Sequence, residues 1–221
     1  MSVTPESVGA LLSSQDFGDR LRAVNQIRQL DPKIGFDLIQ SAVGDSNPRV
    51  RYAAVSQLAV LGQQDLSLAM KLLRGRLKDS EPDVQAAAAD SIAALKLTEA
   101  FEDLQQLYYT SSEWLVKFSI VAALGELGDS RALEMLEDAL KSSNELLQTV
   151  AIGSLGELGD SRAVSLLTPY ATHPDWQIRY RTAQALGHLN GPEALSALEI
   201  LAQDEIEQIA QEAQQYLISE R

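Results

Sequence analysis

The nine residues Leu124-Gly125-Glu126-Leu127-Gly128-Asp129-Ser130-Arg131-Ala132 return letter for letter at positions 155–163, 31 residues further on. A worn third copy, Leu186-Gly187-His188-Leu189-Asn190, follows at the same interval. Self-similarity at a period of roughly 20–50 residues marks a solenoid, in which each unit buries its apolar face only against its neighbours. The chain is therefore expected to be one repeat domain over residues 1–221 rather than a globule around a central core.

The repeated block reads as a joint between two helices. Leu124 and Leu127, three apart at the end of an Ala-rich run, close a buried helical stripe. Gly125 carries no side chain and admits a neighbouring helix at short range. Gly128 falls where a helix ends and a positive φ is wanted. Asp129 or Ser130 then offers a side-chain oxygen to the free N–H groups of the next helix, which places Leu133, Leu136 and Leu140 on one face.

The same layout can be followed along the whole chain. Thr4-Pro5, Asn47-Pro48 and Glu81-Pro82 each set a proline at a first helical position behind a polar residue. The polar breaks 13–16, 45–48, 79–82, 111–113, 142–144 and 173–175 separate a first from a second helix in successive repeats. Apolar anchors near the start of the second helices, Val50, Val84, Val116, Leu147, Ile178 and Ile209, step by 34, 32, 31, 31 and 31. The expected fold is an all-α, right-handed solenoid (a superhelix) of about seven helix pairs. A Gln/Glu-rich last repeat, residues 203–215, suits a polar terminal cap.

Composition narrows the chemistry. Hydrophobic residues make up 45% but aromatic ones only 5%, which points to Ala/Leu helix packing. There is no cysteine, hence no disulfide framework, thiolate nucleophile or Cys-ligated metal. The start, Met1-Ser2-Val3-Thr4, has neither a basic stretch nor an apolar core of a secretory signal, and no run of apolar residues is long enough to span a bilayer. A soluble cytoplasmic protein is expected. The net charge of −13 arises after residue 97: residues 1–97 hold 11 Lys/Arg against 11 Asp/Glu, residues 98–221 hold 7 against 20. Such a surface repels nucleic acid and anionic lipid.

Aligned on the anchors, several residues recur in register. Tyr52, Phe118 and Tyr180 stand two places after the anchor, Trp114 and Trp176 two places before it, and Arg51, Lys117 and Arg179 directly after it. Arg49 and Arg181 lie outside the repeat pattern. Each has a structural alternative: an Arg after the anchor pairs with an Asp of a neighbouring turn, and aromatics at helical spacing pack in cores. Lys71, Arg74, Arg76 and Lys78 form a basic cluster on a first helix, either a solvated face or a docking patch.

The pattern Pro-x-Val-Arg-x-x-Ala, as at 48–54, followed by Leu-Gly-x-Leu-Gly-Asp-x-Arg-Ala, resembles HEAT repeats. More narrowly it is similar to the HEAT-like repeats of the phycobilin lyase family of cyanobacteria. Val50-Arg51, Ala53-Ala54, Ile178-Arg179 and the two nonapeptides carry the resemblance, strongest over 98–191. Within that family the short chain resembles the branch concerned with phycobilisome degradation.

The resemblance implies binding to phycobiliproteins (phycocyanin, allophycocyanin), with a linear tetrapyrrole such as phycocyanobilin as ligand or substrate rather than a permanently bound cofactor. It also implies that second helices line a concave face. The ten residues Arg49, Arg51, Tyr52, Trp114, Lys117, Phe118, Trp176, Arg179, Tyr180 and Arg181 then form an aromatic and cationic stripe. Aromatic faces stack on bilin rings and cations meet propionates. Relatives attach bilins as two-subunit lyases, so bilin attachment, a homo- or heterodimer and a generic adaptor role stay open.

The residues themselves supply no classical catalytic set. His173 and His188 are the only histidines, and neither has the adjacent glutamate or the three or four clustered donors that a metal site requires.

Overall fold

The computed structural model describes residues 3–219. Fourteen α-helices among these residues form seven consecutive pairs, and no strand occurs among them. The first helices of the pairs are α1 (Pro5–Leu12), α3 (Pro32–Val43), α5 (Leu66–Arg76), α7 (Phe101–Thr110), α9 (Leu133–Leu140), α11 (Ala163–Leu167) and α13 (Pro192–Leu201). The second helices are α2 (Phe17–Ile27), α4 (Pro48–Leu61), α6 (Pro82–Ala94), α8 (Trp114–Leu127), α10 (Glu145–Leu158), α12 (Trp176–Leu189) and α14 (Glu207–Ser219). This is the all-α architecture of seven helix pairs expected from the period. Residues 1, 2, 220 and 221, the ends of the expected domain, lie outside the described residues. The helices gather into two compact units, Met1–Ile120 and Val121–Arg221, and the division falls inside α8. No described helix is long and apolar enough to cross a membrane.

One hydrogen bond shapes the turn inside every pair. Five places ahead of each anchor, with Asp19 standing at the anchor position of the first repeat, a side chain accepts the N–H two residues on. Ser14 accepts from Asp16, Asp45 from Asn47, Asp79 from Glu81 and Ser111 from Glu113. Ser142 accepts from Asn144, His173 through Nδ1 from Asp175, and Asp204 from Ile206. A short side chain that hydrogen-bonds the backbone two residues on is the local device that bends a chain. Asp16, Asn47, Asn144 and Asp175 then cap the second helix by accepting from Gly18, Arg49, Leu146 and Gln177.

Between pairs, Gly128 (φ 72°) and Gly159 (φ 71°) adopt the left-handed conformation expected at the joint. Asp129 and Asp160 each accept the N–H two residues on. The same register position has a positive φ at Lys96 (φ 54°) and Asn190 (φ 55°), where a side chain is present. Its counterpart Gly62 stays right-handed (φ −61°) and opens the 3-10 turn Gly62–Gln64. The three residues by which the step from Val50 to Val84 exceeds 31 fall after Gly62, between it and Val84.

Packing runs from second helix to second helix. In the unit Met1–Ile120, α4 lies between α2 and α6; in the unit Val121–Arg221, α12 lies between α10 and α14. All six anchors are buried. In the first unit, Gln57 Nε2 donates to the Val24 carbonyl (2.7 Å) and Ser91 Oγ to the Val55 carbonyl (2.9 Å), both in the interior. In the second unit, glycines mark the close approach. A Cβ on Gly125 would stand 2.7 Å from Ser154 Cα, one on Gly156 2.6 Å from Ala185 Cα, and one on Gly187 inside the Tyr216 ring contact.

Gly153, on the same helix as Gly156, has open space where its Cβ would be. The two glycines therefore respond in opposite directions to one added methyl group. Gly156→Ala is expected to destabilise by about 1–3 kcal/mol through overpacking, whereas Gly153→Ala is expected to stabilise by about 1 kcal/mol through helix propensity. Urea unfolding midpoints followed by circular dichroism check both; equal effects would remove the close approach as the reason for Gly156.

Candidate functional site

The expected stripe lies on the second helices of both units, but its members have different surroundings. Arg51 and Arg179 are ties in the turns. Arg51 Nε and Nη2 donate to Asp79 at 2.9 and 2.7 Å, and its Nη1 donates to the carbonyls of Asp45 and Ser46. Arg179 repeats the arrangement with Asp204 at 2.6 and 3.0 Å and with the carbonyls of His173 and Pro174. Arg20, not among the expected residues, does the same with Asp45 at 2.6 and 2.9 Å and with the carbonyls of Ser14 and Gln15. Each guanidinium thus joins its own turn to the next one. Such bidentate, charge-assisted pairs leave the fork with little to offer a ligand.

The carboxylates respond to these partners. Hydrogen bonds from Arg20 hold Asp45 below the usual carboxylate range, as those from Arg179 hold Asp204. Burial pushes Asp79 up, but its bonds from Arg51 and the Glu81 N–H, with the charges of Arg51 and Arg76, outweigh it and leave Asp79 lowered too.

Lys117, at the register of the three arginines, lies over the Tyr108 ring, 5.3 Å from its centroid. Phe118 is half-buried. Tyr180, also half-buried, donates from its hydroxyl to Glu212 (3.3 Å) and accepts from Gln184 Nε2 (3.3 Å). Of the second-helix aromatics, those left in water are Trp114 (55% exposed), Tyr52 (48%) and Trp176 (43%), together with Phe17 (43%), which shares the register of the two tryptophans; Tyr109 (56%), on the first helix α7, is exposed outside the stripe. Trp114 and Phe118, like Trp176 and Tyr180, stand four apart and so share one face of their helix.

Two clefts lie beside the exposed cations. In the first unit, a cleft of about 340 Å³ is lined by Pro48, Arg49, Tyr52, Glu81, Asp83 and Val84. In the second, Gly153, Gly156, Glu157, Arg181, Gln184 and His188 line one of about 590 Å³ between α10 and α12. The structure therefore brings Arg49 to Tyr52, and Arg181 to His188, while Arg51 and Arg179 are spent within the turns. The basic cluster is partly paired as well: Arg74 with Asp103 (2.7 Å) and Arg76 with Asp79 (2.9 Å), leaving Lys71 and Lys78 exposed. Among the described residues no group of three or more His, Asp or Glu side chains is placed to hold a metal ion.

A family profile for HEAT repeats matches residues 69–154 and 138–218. Among solved structures, the chain is similar to the complex of CpcE and CpcF of phycocyanin lyase from Nostoc sp. PCC7120, with 22% identity and a TM-score of 0.65 over 100% of this chain and 89% of that one. It is also similar to the Escherichia coli protein YibA, with 17% identity and a TM-score of 0.69 over 97% of this chain and 81% of that one. An engineered protein aligns with 18% identity and a TM-score of 0.66 over 96% and 67% of the two chains. At these identities the likeness is one of fold. No curated protein matches the sequence at a significant level.

The Arg–Asp ties have a pH signature. Because the folded carboxyls titrate below the unfolded value of about 3.9, their stabilisation is full above that value and is lost as pH falls through the lower folded range. Asp79, with a side chain only 3% exposed beside Arg51 at 11%, is expected to cost on the order of 3 kcal/mol as Asp79→Asn. Arg49→Gln, at an exposed site, is expected to stay within about 0.5 kcal/mol of the parent. Urea midpoints between pH 7 and pH 3 should fall more steeply for the parent than for Asp79→Asn; parallel curves would remove the tie as their cause.

Proposed function

We propose, from the premise that the chain belongs to the HEAT-repeat family, that it is a phycobiliprotein-binding scaffold. Its work is the dismantling of phycobilisomes, including help in detaching the bilin chromophore. The observation that carries this is the exposure of Tyr52, Trp114 and Trp176 at the start of second helices in a chain poor in aromatics. Large aromatics left in water are the residue type enriched in protein interfaces and their energetic centres. Arg49 beside Tyr52, and Arg181 on the same helix as Trp176, add cations suited to carboxylates, those of a partner or the propionates of a bilin. On this reading the chain is a counterpart of the phycobilisome degradation protein NblB, its partners are phycocyanin and allophycocyanin, and it works in the cytoplasm.

A second reading is that the chain attaches bilin as a lyase or lyase subunit. It is favoured by the full-length likeness to the CpcE and CpcF complex of phycocyanin lyase, which also favours pairing with a second chain. A scaffold needs no chemistry of its own. A lyase or detaching activity needs a side chain that holds the tetrapyrrole while its thioether bond to protein is made or broken, and Arg181, in the larger of the two clefts, is the cation we assign to that.

The test is a titration of the protein into holo-phycocyanin, with free phycocyanobilin as control, read by size-exclusion chromatography and by the visible spectrum over hours. Co-elution with an unchanged bilin band is the outcome expected of a scaffold. A band that shifts or fades with time, more slowly for Arg181→Gln, moves the protein to the chromophore chemistry. Neither co-elution nor a spectral change would sink the phycobiliprotein reading and leave a HEAT-repeat protein with another partner.

A further inference from the structure

The cleft of the second unit holds two features that folding does not require. Gly153 lies in the interior of the 14-residue helix α10, is exposed, and has nothing within 4 Å of where its Cβ would be. Gly125 and Gly156 admit a neighbouring helix; Gly153 admits none. A glycine there weakens the helix relative to alanine without any gain in packing. At the same register the other second helices carry Asn25, Ser56, Asp90, Ala122, Gln184 and Gln215.

The second feature is Arg181. Among the described residues of the unit Val121–Arg221, Arg131 pairs with Asp129, Lys141 with Glu137, Arg162 with Asp160 and Arg179 with Asp204. Arg181 pairs with no carboxylate among them, although residues 98–221 hold 20 acidic residues; its bond is to the neutral amide of Gln184 (3.2 Å). Unpaired, it keeps its planar fork free for a carboxylate from outside.

We infer that the cleft over Gly153 is a carboxylate-recognition site, with Arg181 as the fork that reads the anion and Gly153 as the floor that lets the ligand lie against the helix. The inference rests on the reading that the second-helix face is the binding face. Arg181, Gln184 and His188 recur at three- and four-residue intervals on one face of α12. At 1.5 Å per residue Arg181 and His188 stand about 10 Å apart. Glu157, also on the wall, repels a second anion and accepts from an N–H. The complementary ligand carries a carboxylate for Arg181 and a hydrogen-bond donor for Glu157, and the wall from Arg181 to His188 has room for about three residues of extended peptide.

The test is NMR of the full-length, 15N-labelled protein, following the Gly153 and Gly156 amides and the Arg181 Nε signal. The probes are a short acetylated peptide with one glutamate among glycines, the same peptide with glutamine, and glutarate. Saturable shifts with the glutamate peptide are expected, weakened about tenfold in the glutamine peptide and in Arg181→Gln. Gly153→Ala is expected to weaken binding while raising the urea midpoint, an opposition that a merely structural glycine would not produce. Tighter binding of the peptide assigns a protein segment as ligand, and tighter binding of glutarate a small carboxylate.

No saturable shift with either, or equal affinity for the glutamate and glutamine peptides, overturns the inference. Phycocyanin co-elution without peptide or glutarate binding sinks this inference alone. Peptide binding without co-elution sinks the phycobiliprotein reading alone.

Discussion

The distance between consecutive second helices governs the rest of each unit. Where Gly125 faces Ser154 and Gly156 faces Ala185, backbones approach so closely that no Cβ fits. Where α2, α4 and α6 meet, buried hydrogen bonds from Gln57 and Ser91 to facing carbonyls hold the contact. This stacking carries successive turns to within reach of one guanidinium, so that Arg20, Arg51 and Arg179 can each join two of them. It also leaves one face of each second helix without a neighbour. Exposed Phe17, Tyr52, Trp114 and Trp176, the two clefts, and the exposed Arg49 and Arg181 all lie on second helices.

Most of this frame is legible in the letters because it recurs. The anchors are buried as their period demands, Gly128 and Gly159 are left-handed, and the polar breaks are the turns. What the letters hide is geometry that different residues supply. Lys96 and Asn190 take a positive φ at the register of the joint glycines although each carries a side chain, and the ψ of −178° at Asn190 differs from the 11° of Gly159. Ser14, Asp79 and His173 make one and the same turn bond, because a hydroxyl, a carboxylate and an imidazole nitrogen can each accept an N–H two residues on. The division inside α8 follows from packing over distance, which no local pattern records.

The stripe of candidate residues was legible as a register but not as a surface. Periodicity puts Arg51, Lys117 and Arg179 at one place; it does not say what each meets. A rule that was present in the letters would have separated them. An arginine directly after the anchor occurs where the turn of the next repeat carries Asp five places before its anchor: Arg20 with Asp45, Arg51 with Asp79, Arg179 with Asp204. Where that acceptor is Ser111 or Ser142, the cation position holds Gln85 or Lys117. Repeat one escaped the register because Asp19 occupies the place of a Val, which hid both Arg20 and the exposed Phe17.

Residues that obey the repeat are thus explained by the repeat, and function is better sought in those that break it. Gly153 leaves bare a helix position that the other second helices fill with a side chain, Arg181 brings an unpaired cation into the acidic half of the chain, and His188 stands where the two perfect copies have Glu126 and Glu157. Each departure alone is a neutral variation on an exposed face. Together they line one cleft, and each changes it in the same sense: bulk is removed from the floor, a positive charge is added, and a negative one is taken away. Folding gains nothing from that convergence. A ligand that carries negative charge does.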